Sequence, residues 1–473
     1  MAQSFVQSIR FCSHRILILT LCMLMLGVSS AQAAGFWLLD QGASNFARGG
    51  ANIVDPGDPT AVYLNPAGLA GLSGFQFVAG GNMIFDSRSF LRAPELDSSE
   101  VDYFHYMEGR EYEQVSNEAS PVPSPNLFAA YNFESHGLPG LTMGLGLWGP
   151  PRADLQLDEE GPQRYSTINS YNIQAHYGLS AAYEFPWQKL RLGVTLMGIT
   201  QKVDTKLKLN VPLVAGNIVE DPDKDIGVSI KTTQHAIPSA VLGVSLELTE
   251  GLSLAMSYQL PFKVHGIGMA DLSAGKDLDV VDFEGDAVEV QLDMPAIIRS
   301  ALRYTAQSWD VELAFVYETW SVQQTIDFDA SQIQVKAENF NIDQPVGELP
   351  LLPHWRDTYS VRLGSSFVVV PDLVVGRAGV FYEPAAIDQE WLNIGNFDLD
   401  KVGATVGARV VLSDDFWMDV ATGYVHYMPV EVTESATQFK DPLEEGPPTG
   451  HAIGNGSYDS QQIVIMMALG MSF

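Results

Sequence analysis

The sequence predicts an all-β protein: a 14-stranded antiparallel transmembrane β-barrel with an N-terminal hatch plugging the lumen. Three observations predict it. A secretory leader is followed by no helical membrane span. Apolar and polar residues alternate in runs longer than soluble strands need. Short turns alternate with long loops along the chain.

The leader comes first. Arg10, His14 and Arg15 precede a run from Ile16 to Val28 that is apolar apart from Thr20, and Ala31-Gln32-Ala33 offers the small residues that a signal peptidase reads. The run is too short to cross a bilayer comfortably as a helix. Leu21 before Cys22 is too bulky for a lipidation site. The expected division is residues 1–33 as removed signal peptide, 34–72 as hatch and 73–473 as barrel. Both cysteines, Cys12 and Cys22, fall in the leader, so the mature chain has no disulfide and no cysteine metal site.

The full sequence has 26 Lys and Arg against 57 Asp and Glu, a net charge of -31, and the leader contains two arginines and no acid. Such acidity argues against nucleic acid as a partner. A composition 46% hydrophobic and 10% aromatic excludes a disordered solvated chain. No mature stretch is apolar for about 18 residues, which excludes spanning helices.

Period-two patterning then supplies the strands. Ile463, Ile465, Met467, Leu469, Met471 and Phe473 form one apolar face of the last segment, opposite Val464, Met466, Ala468, Gly470 and Ser472. From Trp309, large apolar residues at odd positions face away from Asp310, Glu312 and Glu318. Leu252, Leu254, Met256, Tyr258, Leu260, Phe262 and Val264 oppose Ser253, Ser257, Gln259, Lys263 and His265. Val290, Leu292, Met294, Ile298 and Leu302 oppose Asp293, Arg299 and Arg303. Such lengths suit a tilted crossing of a bilayer.

Fourteen strands begin near Phe75, Leu127, Leu141, Tyr171, Leu190, Thr232, Leu252, Val288, Trp309, Thr358, Leu373, Lys401, Trp417 and Gln462. Turn formers at Pro186 to Lys189, Thr249 to Gly251, Ala306 to Ser308, Pro371-Asp372 and Ser413 to Asp415 join pairs of them. Long links such as Phe85 to Asn126 and Met428 to Gln461 join the others. In outer-membrane barrels the short turns and both termini lie in the periplasm. The closing pair is expected to be strand fourteen with strand one.

Ala34 to Leu72 lacks alternation and is rich in glycine and proline, so the lumen is the place for it. Its sequence, with Ala34-Gly35-Phe36, Gln41-Gly42 and Tyr63-Leu64-Asn65-Pro66-Ala67-Gly68-Leu69, resembles the hatch of the FadL/TodX family of outer-membrane transporters for long-chain fatty acids and other hydrophobic compounds. Asn65, Pro66, Ala67 and Gly68 are the hatch motif. Tyr317-Glu318-Thr319-Trp320-Ser321, Trp355-Arg356-Asp357-Thr358-Tyr359 and the end at Phe473 extend the resemblance through the barrel.

The resemblance implies a monomeric barrel in the bacterial outer membrane that takes up hydrophobic small molecules passively. Ligand is captured at outer loops, passed to a site beside the hatch and released laterally into lipid at a kinked third strand. Glycines and prolines in Leu141 to Pro151 place that lateral opening at Gly144, Gly146, Gly149 and Pro150. Their accidental G-x-G-x-x-G is rejected as a dinucleotide site, because Pro150-Pro151 starts no helix. Candidate ligand-binding residues are the apolar Phe36, Trp37, Leu38, Phe104, Trp148 and Trp391, with the inward cations Lys263, Arg299, Arg303 and Arg362.

No cofactor or metal is expected, although divalent cations bridging loop acids such as Asp271, Asp277, Asp279, Asp282, Glu284 and Asp286 remain an open reading. No G-x-S-x-G or H-E-x-x-H occurs, so an enzyme is not expected. An uptake channel for alkanes or aromatic hydrocarbons and a general porin are the alternatives.

Overall fold

Alternating strands close into one ring. The computed structural model describes residues 41–94, 111–185, 189–210, 220, 222–278, 281–337, 342–351, 354–437 and 452–473. The ring consists of β1 (Phe75–Asp86), β2 (Ser124–Asn132), β3 (Leu141–Trp148), β4 (Asn169–Phe185), β5 (Leu190–Asn210), β6 (Asp225–Thr249), β7 (Leu252–Gln259, then Phe262–Ala274), β8 (Ala287–Met294, then Ile297–Thr305), β9 (Trp309–Glu318), β10 (Thr358–Val370), β11 (Val374–Glu383), β12 (Lys401–Val411), β13 (Phe416–Tyr427) and β14 (Gln461–Ser472). Each pairs antiparallel with the next, and β14 returns to β1 from Gln76↔Ser472 to Asp86↔Gln462. Closure leaves the barrel no free edge. The largest departure from the expected starts is β6, which begins at Asp225 rather than near Thr232.

The two faces of β14 separate as its alternation requires. Ile463, Ile465, Met467 and Leu469 are 50%, 40%, 52% and 58% exposed, whereas Val464, Met466 and Ala468 are 0%, 1% and 6% exposed. Large apolar side chains pointing out around the whole barrel make a belt suited to hydrocarbon. At the short-turn end aromatic pairs ring the barrel: Tyr131 with Phe133 (5.0 Å), Tyr183 with Phe185 (4.8 Å), Tyr304 with Trp309 (5.7 Å) and Phe416 with Phe473 (6.2 Å). Amphipathic rings favour such an interface. Phe75 and Phe473 exchange backbone hydrogen bonds of 2.9 Å at this same end.

Toward the long-loop end, three adjacent strands exchange their faces. In β6, Ala236 takes a positive φ of 57° and the pairing with β5 slips between Ile199 and Gln201. β7 is interrupted at Leu260-Pro261 and β8 at Pro295-Ala296, since proline has no N–H for the ladder. On the short-turn side of these breaks Ala255, Ser257, Arg299 and Arg303 point inward, and Met256, Tyr258 and Leu302 point outward. Beyond them Ile230, Phe262, Val264, Val290, Leu292 and Met294 point inward, while Lys231, His265 and Gln291 face outward. Apolar groups face lipid where lipid is outside and face inward where water is outside, so the seam marks a change of solvent around the wall.

The seam corrects one expectation. Lys263 does not face the lumen; its side chain is 84% exposed and pairs across the outer surface with Asp293 at 3.1 Å. Uninterrupted alternation through Pro261 would have put it inside, and the break reverses its parity.

Candidate transport site: hatch, broken strand and cavity

The hatch fills the lumen with α1 (Ala43–Phe46), α2 (Ala61–Leu64) and a 3-10 turn (Pro66–Gly71), nearly all of it buried. Asn65 organises the turn: its side chain accepts from Ala67 N–H (3.2 Å) and donates to Ile53 O (3.0 Å) and Val244 O (3.3 Å) of the wall. Pro66 opens the turn with a φ already helical. Wall glycines let the backbone approach; a Cβ at Gly193 would lie 2.3 Å from the Pro66 carbonyl carbon.

Ion pairs hold the hatch at two places. Glu312 accepts from Ile53 N–H (2.6 Å) and from Arg303 Nε (2.7 Å), and Arg303 also donates to Asn52 Oδ1 (2.7 Å) and Asp55 O (2.8 Å). Arg48 of the hatch pairs with Asp310 at 2.6 Å. Across the barrel, Arg409 bridges Asp58 of the hatch (3.1 Å) to Asp419 (2.7 Å). Thus Arg303, expected as a ligand contact, is a hatch anchor. Arg362 pairs with Glu383 (3.3 Å), and Arg299 lies over the Tyr63 ring at 5.1 Å.

Opposite these anchors the barrel wall is interrupted. β3 is laddered to β2 and β4 as far as Asn126↔Trp148↔His176, and pairing with β4 resumes only at Leu155↔Ser170. Tyr171 to Ala175 of β4 therefore have no ladder partner on this side. Gly149, Pro150 and Pro151 account for the break: the prolines donate nothing, and a Cβ at Gly149 would lie 2.7 Å from Gln174 O. The Gln41 amide of the hatch donates to Gly149 O. Gly144 and Gly146 sit inside an intact ladder, opposite Ala130 and Ser180 and opposite Phe128 and Gly178. They make room for Val62 and Leu69 of the hatch and for Phe128 and Trp148. The break thus begins at Gly149, later than the sequence suggested.

A small cavity opens at this break and is partly open to solvent. Pro151, Arg152, Ala153 and Leu155 line one side, Ser170 and Asn172 the next, and Ile84, Arg88, Trp355, Phe397, Asp398, Lys401, Tyr427 and Gln462 the rest. Its charges are internally balanced. Lys401 Nζ stands 2.6 Å from Asp398 and 3.2 Å from Glu383, and Arg152 stands 3.2 Å from Asp154. Burial pushes the Asp398 carboxyl up to about 7, against the opposing pull of Lys401 and of the Ala386 N–H.

One apolar cluster runs from Tyr63, Leu64 and Leu69 of the hatch through Trp148, Met197 and Ile199 to Phe262, Val290, Phe328 and Ile333 beyond the seam, with Trp391 packed at its margin. Trp148, a candidate from sequence, stands where this cluster meets the break. Phe36, Trp37, Leu38 and Phe104 lie outside the described residues. Of the loop acids, Glu284 pairs with Lys336 at 2.6 Å. Sequence reasoning missed Asn172 of β4, Trp355 of the link before β10, and Phe397, Asp398 and Lys401 at the entry to β12, segments far apart in the chain that meet in the closed barrel.

The family model described as "Outer membrane protein transport protein (OMPP1/FadL/TodX)" matches residues 24–468. The chain belongs to the FadL/TodX family. Its barrel is similar to the crystal structure of a Pseudomonas aeruginosa FadL homologue, with a TM-score of 0.72 and 16% identity over 93% of this chain and 100% of that one. The P. putida toluene transporter TodX gives 0.65 at 15% identity over 92% and 99%, and the Ralstonia pickettii toluene transporter TbuX gives 0.63 at 14% over 92% and 99%. No curated protein matches the chain. As a FadL/TodX protein it is an outer-membrane transporter of hydrophobic compounds, in a family of transport proteins and not of enzymes.

Proposed function

We propose that this transporter takes up long-chain, fatty-acid-like compounds passively. Apolar cargo enters the interior of the outer extension, follows the continuous apolar cluster to the cavity at the break after β3 and leaves sideways into the membrane between Gly149 and Asp154. The observation that carries the reading is the coincidence of the cavity with the unpaired stretch of β4. The barrel acts as a monomer, its short turns and both chain ends are periplasmic, and the lipid of the outer membrane is its second partner. An aromatic hydrocarbon cargo is the second reading, favoured by the toluene transporters among the similar structures.

The mature chain has no cysteine, so a cysteine pair at Pro151 and Asn172, both lining the cavity, can be cross-linked cleanly. Bridging the two with a short bifunctional reagent should stop uptake of a labelled long-chain probe by cells, and cleaving the bridge should restore it. Unchanged uptake after complete cross-linking would rule out the lateral exit.

A further inference from the structure

At the end of β3 the interior gathers a patch of polar groups without partners among the described residues. Trp148 Nε1, His176 Nδ1, Asn126 Oδ1, Gln174 Nε2, Gln201 Oε1 and Gln41 Oε1 are all buried and make no hydrogen bond among the described residues. The residues that bear them are between 1% and 6% exposed. Buried donors and acceptors are normally satisfied, and each left alone carries its full desolvation penalty.

These groups are neighbours. Asn126 and Trp148 are register partners across β2 and β3, Trp148 and His176 across β3 and β4, and Gln174 and Gln201 across β4 and β5. The Trp148 and His176 rings lie 5.4 Å apart, and His176 Nε2 is hydrogen-bonded to Gln174 Oε1 at 2.9 Å. Around them Phe128 stacks on Trp148 at 5.7 Å and Tyr63 meets its edge at 5.9 Å. Gln41 reaches the same place by its bond to Gly149 O.

The patch mixes donors and acceptors and contains no lysine, arginine or acid. Elsewhere in the lumen Arg303, Arg362, Lys401 and Arg409 stand beside Glu312, Glu383, Asp398 and Asp419. A carboxylate arriving at the patch would leave water without meeting a cation, which is costly. A bare hydrocarbon would leave every one of these groups unsatisfied. A neutral hydroxyl head, with one donor and two acceptor positions, satisfies up to three of them at once and buries its body against Phe128, Tyr63 and the apolar cluster.

We propose that Asn126, Trp148, Gln174 and His176 form a selectivity site for hydrophobic molecules with a neutral hydroxyl head, reading long-chain alcohols in preference to both alkanes and carboxylate anions. This rests on the transport reading and narrows its cargo, from fatty-acid-like compounds in general to those whose head is uncharged.

The test is binding of 1-hexadecanol, hexadecane and the palmitate anion to the purified full-length barrel in nanodiscs at pH 8, each as a radiolabelled probe. Hexadecanol should bind about tenfold more tightly than either of the others. Trp148→Phe, which keeps the ring and removes the donor, should collapse the hexadecanol-to-hexadecane affinity ratio toward one. Asn126→Leu should lower the same ratio and raise the melting temperature of the ligand-free barrel, because it removes a buried unpaired group; this second variant answers if the first fails to fold. Equal affinity for hexadecanol and hexadecane, tighter binding of palmitate, or an unchanged ratio in a folded variant would overturn the selectivity site while leaving the transport reading intact. Failure of all three probes to bind would overturn the transport reading itself.

Discussion

Arg303 Nε stands 2.7 Å from Glu312 Oε2, with the Glu312 side chain fully shut off from solvent and its other oxygen accepting from the backbone of hatch residue Ile53. The pair is therefore both a wall contact and a hatch clasp. Removing one member strands the other charge. Glu312→Ala is expected to destabilise the barrel by about 3–5 kcal/mol and to loosen the hatch. Small-solute leakage in planar bilayers should rise over the wild type. Wild-type conductance with normal stability would show that the clasp does not hold the hatch.

Close approach of hatch and wall makes a second prediction. A side chain at Gly193 would strike the backbone of Pro66 and Ala67. Gly193→Val should cost about 1–3 kcal/mol or more by overpacking, and should also raise leakage because the motif turn is pushed off the wall. Thermal unfolding together with conductance checks this; a variant that melts and conducts like the wild type would contradict the contact.

The seam predicts unequal responses to the same substitution. Met467 on β14 lies in the lipid belt, so Met467→Lys should cost about 2–4 kcal/mol. Ile267, 63% exposed on the outer part of β7, faces water, and Ile267→Lys should change stability by no more than about 0.5 kcal/mol. Urea unfolding in lipid vesicles measures both, and equal costs would place the seam elsewhere.

Asp398 supplies a pH dependence. Its carboxyl is held up to about 7 by burial, well above the unfolded value of about 3.9, so the folded state retains a proton that the unfolded state releases. This group's stabilising contribution is present below the unfolded value and is lost as pH rises through the folded one. Asp398→Asn should therefore flatten the fall in melting temperature between pH 5 and pH 8. Identical profiles for variant and wild type would refute the assignment.

The barrel was legible because two local signals agree. Alternation in β14 gave its lipid face residue by residue, and turn formers such as Pro371-Asp372 marked the hairpins. The hatch was legible through Asn65-Pro66-Ala67-Gly68, whose three side-chain hydrogen bonds and preset φ explain why that order of residues is needed. Lys263 was misplaced because alternation counts positions and is blind to a break in the ladder such as Leu260-Pro261, after which the inward and outward faces are exchanged. Gly144 and Gly146 were grouped with Gly149 and Pro150 because glycine signals close approach as readily as a missing ladder. The cavity was invisible: Asn172 of β4 and the segment holding Phe397 and Lys401 are far apart in the chain and are brought together only when β14 meets β1.

The seam and the break in β3 share a level in the hydrogen-bond register, from Trp148 to His176, Ile199 and Ile237 at the edge of the β6 irregularity. In β6 to β8 the apolar side chains above this level point inward and those below it point outward. For a molecule that prefers hydrocarbon, the inward-facing phase ends at that level and the lowest free energy lies across the wall. The gap in the third strand stands at the level where β6 to β8 reverse their apolar side, so for the proposed lateral exit a concentration gradient and the partition of the cargo are enough to set a direction.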